Sequence, residues 1–236
     1  MEPTEQNRKA WDEIHRRRTG AMAGQLGIPE KIRELLPDLK GKHVLDLQCA
    51  TGESTAELVE LGALVSAVDI SAEALEIARE RTPDVAYVHA DVQELPLEIR
   101  RGRFDLVFTG GGVLIWLQDL DAWATGIASA LRPGGMLLLY DPHPVGRCVD
   151  PLGHWRDNYF DDAPLVTSGW THFELPGEPA TEEKYERHWQ LGQIVDAVTG
   201  AGLVVTRIVE FQTVYKWLQR DRRVPWDFAL IAEKRA

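Results

Sequence analysis

From residue 43 onward the chain alternates short apolar runs with amphipathic stretches, and that rhythm constrains the fold more than any other feature. The runs fall at 43–47, 64–70, 85–89, 104–109 and 136–140. Between them, helical spacing covers 54–61, 72–81 and 120–131. Strand, turn and helix in repetition specify a mostly parallel sheet covered on both faces by helices. Ser71 is placed to cap the second helix. Arg132-Pro133-Gly134-Gly135 ends the third and turns into the buried-looking run Met-Leu-Leu-Leu-Tyr. After Asp141 the rhythm breaks. Residues 142–184 carry Pro, Gly, His and aromatic residues with weak periodicity. A stretch that long in a compact domain points to a lid or binding loop, here over the carboxyl edge of the sheet; a long surface loop is the plainer alternative. Helical spacing returns at Leu191, Ile194, Val195 and Val198, with Gly200 and Gly202 as a stop signal. Two closing strands are expected at 203–210 and 228–232, and two helices in the first 40 residues, with Pro29 near the start of the second.

Composition narrows the partners. Thirty-seven acidic residues against 26 basic ones give a formal net charge of −11, which repels phosphate backbones, so no nucleic-acid partner is expected. The clusters at Arg16-Arg17-Arg18 and Arg220-Asp221-Arg222-Arg223 read as solvated helix or loop ends. No apolar run is long enough to cross a bilayer, and the start, MEPTEQNRKAW, lacks a basic segment followed by an apolar one. No membrane partner and no signal peptide are expected, and the cytoplasm is the expected compartment. Cys49 and Cys148, far apart in the chain, make neither a disulfide framework nor a metal knuckle. No metal is expected.

The chemistry concentrates in His43-Val-Leu-Asp-Leu-Gln-Cys-Ala-Thr-Gly-Glu-Ser. A strand that runs through small residues into a helix is the ligand-facing corner of a doubly wound sheet. A dinucleotide site needs glycines spaced G-x-G-x-x-G, and here those positions hold Gln48, Ala50 and Glu53. A glutamate at a helix N-terminus also repels a phosphate bound there, so a nicotinamide oxidoreductase fits badly. A cofactor without phosphates relaxes the demand.

The segment resembles the first motif of the class I S-adenosylmethionine-dependent methyltransferases, Leu-Asp-Leu-Gly-x-Gly-x-Gly. Asp46 matches its acid, Gln48 and Ala50 stand in for two glycines, and Gly52 retains the third. The chain is similar to a sub-group whose loop reads Leu-Gln-Cys-x-x-Gly, followed by Gly-Val-Leu-x-Trp-Leu-x-Asp-Leu, which runs here to Leu120. The resemblance covers about residues 40–142 well and the ends more loosely. It implies a seven-stranded Rossmann-like sheet, six strands parallel and one antiparallel. It also implies that Asp46 helps to hold the methionine ammonium, that the Asp91 carboxylate meets the adenine amino group, and that the Val92 N–H meets a ring nitrogen. Asp69, 23 residues after Asp46, ends a strand where an acid accepts from both ribose hydroxyls; capping of the following helix is its alternative. Ile70 is expected against the adenine. The loop Thr109-Gly110-Gly111-Gly112 is expected beside the methionine end, where glycine lets backbone approach closely; a plain flexible loop is the alternative for Gly111 and Gly112. Similar enzymes close an aromatic residue of the first helix over the cofactor, a role that falls to Trp11. Either Trp11 or Trp116 suits a sulfonium, whose charge an aromatic face attracts; ordinary packing is the alternative for both.

Eight tryptophans are many for 236 residues. Trp123 reads as core; Trp155, Trp170, Trp189, Trp217 and Trp226 are open, and several of them would suit an apolar acceptor pocket. His143, between Pro142 and Pro144 at a strand's carboxyl end, is the candidate catalytic base; its alternative is to fix the start of the lid through a backbone hydrogen bond. His154, Tyr159, His172 and His188 are lesser candidates. The expected organisation is one domain over 1–236: a helical cover at 1–40, the cofactor-binding half at 41–141, the insertion at 142–184, and a closing helix and strands at 185–236. The expected reaction moves a methyl group from S-adenosylmethionine, leaving S-adenosylhomocysteine, to O, N or C of a small apolar or aromatic metabolite, in a monomer or homodimer. Methylation of tRNA or protein, and a non-catalytic sensor or interaction module, remain as alternatives.

Overall fold

Each central strand is apolar on both faces, so each must be covered twice. In the computed structural model, which describes residues 2–17, 27–169, 180–215 and 220–235, the strands β1 (His43–Leu47), β2 (Leu64–Asp69), β3 (Ala86–His89), β4 (Phe104–Gly110), β5 (Leu131–Pro142), β8 (Leu203–Phe211) and β9 (Asp227–Lys234) form one sheet. Its order is β3-β2-β1-β4-β5-β9-β8. β9 runs antiparallel to both neighbours and the other six are parallel, as the resemblance implies. The period-two alternation sorts the core. Leu45, Leu47, Val107, Leu137 and Leu139 face helices α5 (Leu120–Ala130) and α6 (Leu191–Gly200). Val44, Leu106, Phe108 and Leu138 face the opposite way, onto Ile32 of the single-turn α2 (Glu30–Arg33) and Leu58 of α3 (Glu53–Glu60). Trp123 is fully buried.

Helix α4 (Ala72–Arg81) starts as expected, with Ser71 Oγ accepting from the Ala74 N–H, and Pro29 is the N-cap of α2. β5 begins five residues before the expected 136, because Leu131 pairs with Phe104 across a bulge. The stretch after β5 also carries regular structure: β6 (Leu165–Ser168) and β7 (Glu183–Glu186) form an antiparallel pair. β7 docks on α1 (Pro3–Arg17), where Asn7 behaves as a further strand residue. Its Oδ1 accepts from the Tyr185 N–H at 2.7 Å and its Nδ2 donates to Tyr185 O at 2.8 Å. Trp170, His172, Trp217 and Arg18 lie outside the described residues. No helix among the described residues is long and apolar enough to cross a membrane.

Candidate active site

The strand order reverses between β1 and β4, and ligands of doubly wound sheets bind at such a switch point, beyond the carboxyl ends of the strands. A cavity opens there. Its floor is made by the segments following β1, β2, β3 and β4, and its roof by α1 and the turn at Leu114–Trp116.

The loop after β1 keeps the backbone that glycines would give without the glycines. Gln48 (φ 56°) and Ala50 (φ 46°) both lie in the left-handed region, as does Gly52 (φ 79°). Non-glycine residues persist there only when their surroundings over-determine them, at roughly 1–3 kcal/mol each. Asp69 supplies part of that determination. Its Oδ2 accepts from the Ala50 N–H at 2.8 Å and its Oδ1 from the Ser71 N–H at 2.8 Å. Burial pushes the Asp69 carboxyl up, against these backbone bonds. Asp69 lines the cavity while Ser71 caps the helix, and a carboxylate has about four acceptor sites, so lone pairs remain for a ligand.

Asp91, Val92 and Ile70 also line the cavity. Gln93, which sequence reasoning missed, holds this corner. Its backbone N–H donates to Asp91 Oδ1 at 2.8 Å, and its Oε1 accepts from the N–H groups of Gln118 and Asp119, both at 2.7 Å. The signal was the short spacing Asp91-Val92-Gln93; its distant partners belong to the tertiary fold.

At the end of β4, Gly110 admits no side chain. A Cβ there would stand 2.1 Å from Tyr140 O and 2.3 Å from the Tyr140 ring. The following loop is held by Asp141 of β5, whose carboxylate accepts from the N–H groups of Gly112, Val113 (2.9 Å) and Leu114 (3.1 Å). Burial outweighs those bonds and pushes Asp141 up to about 7. Gly111 and Gly112 line the cavity and are not a free loop. The roof is aromatic. Trp11 stacks on His15 with centroids 5.4 Å apart and meets Trp116 edge-on at 5.0 Å. Tyr140 and Tyr215 complete the lining at this end. Burial keeps both phenols protonated, raising Tyr140 well above its ordinary range and Tyr215 to about 12. His15, Tyr140, Tyr215 and Asp141 were not anticipated, because their roles depend on which elements the fold brings together.

Four expected site residues do not line the cavity. Asp46 is buried beneath it, accepting from Thr55 Oγ1 at 2.6 Å, and burial raises it to about 7, with the Asp69 charge adding to the rise. Thr109 is wholly buried. Gly52 packs against Ala78 and Tyr87, where a Cβ would find 3.0 and 3.1 Å. His143 is the fourth, and its contacts are those of the alternative reading, a backbone hydrogen bond at the start of the segment after β5. Its Nδ1 accepts from the Val145 N–H at 3.2 Å, its Nε2 stands 3.0 Å from Glu210 Oε1, and its ring meets Phe228 edge-on. Burial lowers its pKa, against the pull of Glu210. Trp155, Trp189, Trp226, His154, Tyr159 and His188 are also off the cavity. Tyr159 accepts from the Leu191 N–H at 3.0 Å, and His154 sits 3.1 Å from Asp150.

The donor set fits a cationic cofactor without phosphates. The described lining residues include Glu53, Asp69 and Asp91 but no Lys or Arg. Glu53, at the N-terminus of α3, accepts from Thr51 Oγ1 and pairs with Arg81 at 3.0 Å, so a carboxylate occupies the place where a pyrophosphate would lie. Among the described residues, no cluster of three His, Cys, Asp or Glu could hold a metal ion.

Comparison with known proteins agrees. A model of the methyltransferase domain matches residues 44–135. The chain is 32% identical over 175 residues to the trans-aconitate 2-methyltransferase of Azoarcus sp., covering 68% of each protein. It is 36% identical over 104 residues to an uncharacterised methyltransferase of Synechocystis sp., covering 44% of this chain and 48% of that one, so it spans about half the length of that relative. Among solved structures, an S-adenosylmethionine-dependent methyltransferase from Mesorhizobium loti superposes with a TM-score of 0.65 at 22% identity, covering 86% of this chain and 96% of that one, a likeness of fold. Sequence likeness over two thirds of a named methyltransferase thus joins a cavity whose lining suits a sulfonium cofactor, and the chain belongs to the class I S-adenosylmethionine-dependent methyltransferases.

Proposed function

We propose that this chain is an enzyme that transfers a methyl group from S-adenosylmethionine to O, N or C of a small, apolar or aromatic, non-anionic metabolite. The observation that carries the reading is the convergence of four carboxyl-edge segments on one cavity: the left-handed loop after β1, Asp69, Asp91-Val92, and Gly110–Gly112. In this reading Asp69 accepts from the ribose hydroxyls, and Asp91 and the Val92 N–H take the adenine edge, with Ile70 beside it. The loops after β1 and β4 surround the methionine end. Bound there, the cofactor supplies a methyl group on a sulfonium, already activated for displacement. The chain's own work is then to hold the reactants in attack geometry, which contributes about 7–11 kcal/mol in well-oriented systems. Trp11 and Trp116 present aromatic faces suited to a positive charge and shield the cavity from water. Where the acceptor carries a proton, the lining imidazole of His15 is the candidate to take it. His143 is assigned the anchoring of the segment that follows β5.

Charge supports the acceptor class. Trans-aconitate is a polyanion at neutral pH, and no Lys or Arg stands among the described lining residues to meet it. Tyr140, Tyr215, Leu117 and the roof tryptophans instead favour a neutral or aromatic partner. The test is transfer of labelled methyl from S-adenosylmethionine into the small-molecule fraction of a cell extract, with Asp69→Ala as control. Label in metabolites that the substitution abolishes supports the reading. Binding without transfer into any fraction would mean a sensor, and label only in protein or RNA would mean a macromolecular acceptor.

A further inference from the structure

The least economical feature of the site is Gln48. A long side chain sits at φ 56° where the resembling motif has glycine, and glycine there would be free of strain. The side chain is engaged at both ends of its carboxamide. Nε2 donates to Val113 O at 3.1 Å, and Oε1 accepts from Thr109 Oγ1 at 3.4 Å. Thr109 is wholly buried, so its hydroxyl requires a partner inside the fold. Val113 is therefore gripped at both backbone polar groups, its N–H by Asp141 Oδ1 at 2.9 Å and its carbonyl by Gln48. Ala50 shares the left-handed backbone but has no side chain to reach across.

We propose that Gln48 is a positioning residue whose carboxamide ties the loop after β1 to the loop after β4 and thereby sets the width of the methionine end of the cavity. This rests on the reading of the cavity as the S-adenosylmethionine site. With the tie in place, Gly111, Gly112 and Val113 are fixed before a ligand arrives, and less ordering remains to be done on binding. The strain at Gln48 is the consequence of sending a side chain across a turn built for none.

Two substitutions separate the tie from the strain. Gln48→Gly deletes the carboxamide and relieves the backbone, whereas Gln48→Met deletes the carboxamide, keeps the length and keeps the strain. Each is titrated with S-adenosylhomocysteine by calorimetry, alongside thermal melting and amide exchange of the ligand-free protein. Both variants should bind about tenfold more weakly than wild type, the scale of one or two lost hydrogen bonds. Both should exchange the Gly111, Gly112 and Val113 amides faster, and the glycine variant should melt above the methionine variant. Wild-type affinity and exchange in Gln48→Gly would overturn the proposal, as would affinity losses that follow the melting temperatures instead of the shared loss of the amide. Failure of wild type to bind the ligand would overturn the cavity reading itself, and the inference with it.

Discussion

Two loops face each other across the cavity, one after β1 with Gln48 and Ala50 in left-handed backbone and one after β4 with Gly111 and Gly112 in theirs, and the fold stabilises them in the same way by different means. Each is held by a buried carboxylate from a neighbouring strand: Asp69 takes the Ala50 N–H, and Asp141 takes those of Gly112, Val113 and Leu114. The end of β4 needs glycine for room, and the loop after it needs glycine for conformation. At Gly110 the backbone dihedral is unexceptional, and the demand comes from Tyr140 O, 2.1 Å from where a Cβ would stand. At Gly112, φ is 97° and nothing lies within 4 Å of the added atom. The loop after β1 carries side chains at Gln48 and Ala50 and accepts the strain. A left-handed backbone is thus separable from the glycine that usually supplies it, whereas a close approach of two strands is not.

Substitutions can break that contrast. The largest effect is expected at Gly110→Ala, which must push apart β4 and β5 and should cost about 3 kcal/mol in urea unfolding; a loss below about 1 kcal/mol would mean that the approach is not tight. Next comes the carboxylate that holds the β4 loop. Asp141 sits at about 7 in the fold against 3.8 for the ordinary group, so between those values the folded chain binds more protons than the unfolded one. Its contribution is fully present below the lower value and is lost as pH rises through the higher. The stability of wild type relative to Asp141→Asn should therefore fall from about pH 4 to about pH 7 and level off above, measured by denaturant midpoints. A difference that is flat or rises with pH would contradict the burial assigned to that carboxylate. Gly112→Ala, which adds strain without a clash, should lose about 1–2 kcal/mol, less than Gly110→Ala. The smallest effect has the opposite sign. Ala50→Gly should gain about 1 kcal/mol of stability by relieving its left-handed backbone, and no gain in the melting curve would show that the loop is not strained at Ala50.

Much of the site was legible because it lies at the ends of strands. Asp69, Asp91 and Gly110 could be read from their places after apolar runs, and the sheet carries them to one edge whatever the loops do. Gln48 and Ala50 were legible as replacements for glycine, but a string of letters does not show whether the backbone follows the residue or the motif. Here the backbone is left-handed at both, and Asp69 and the Gln48 carboxamide hold it. Asp141, Gln93, His15 and Tyr215 were not legible, because each acts on a partner brought near by the fold: Asp141 reaches back 28 residues to Val113, and Gln93 reaches forward to Gln118 and Asp119. His143 could be read two ways for a physical reason. Flanking prolines restrict a backbone equally for catalysis and for anchoring, and only its burial behind Phe228, away from the cavity, separates the two. The β6–β7 pair escaped notice because its short strands alternate weakly and one of them is completed by the Asn7 side chain of α1.

We propose that the acid-lined cavity at the switch point holds S-adenosylmethionine, with Asp69 as its ribose acceptor. Calorimetric titration of the purified protein with S-adenosylhomocysteine, wild type beside Asp69→Ala, is the measurement that decides. Micromolar binding by wild type, weakened at least tenfold by a substitution that leaves the protein folded, is the predicted result. Folded wild-type protein that shows no binding, or an Asp69→Ala variant that binds as wild type does, would contradict it.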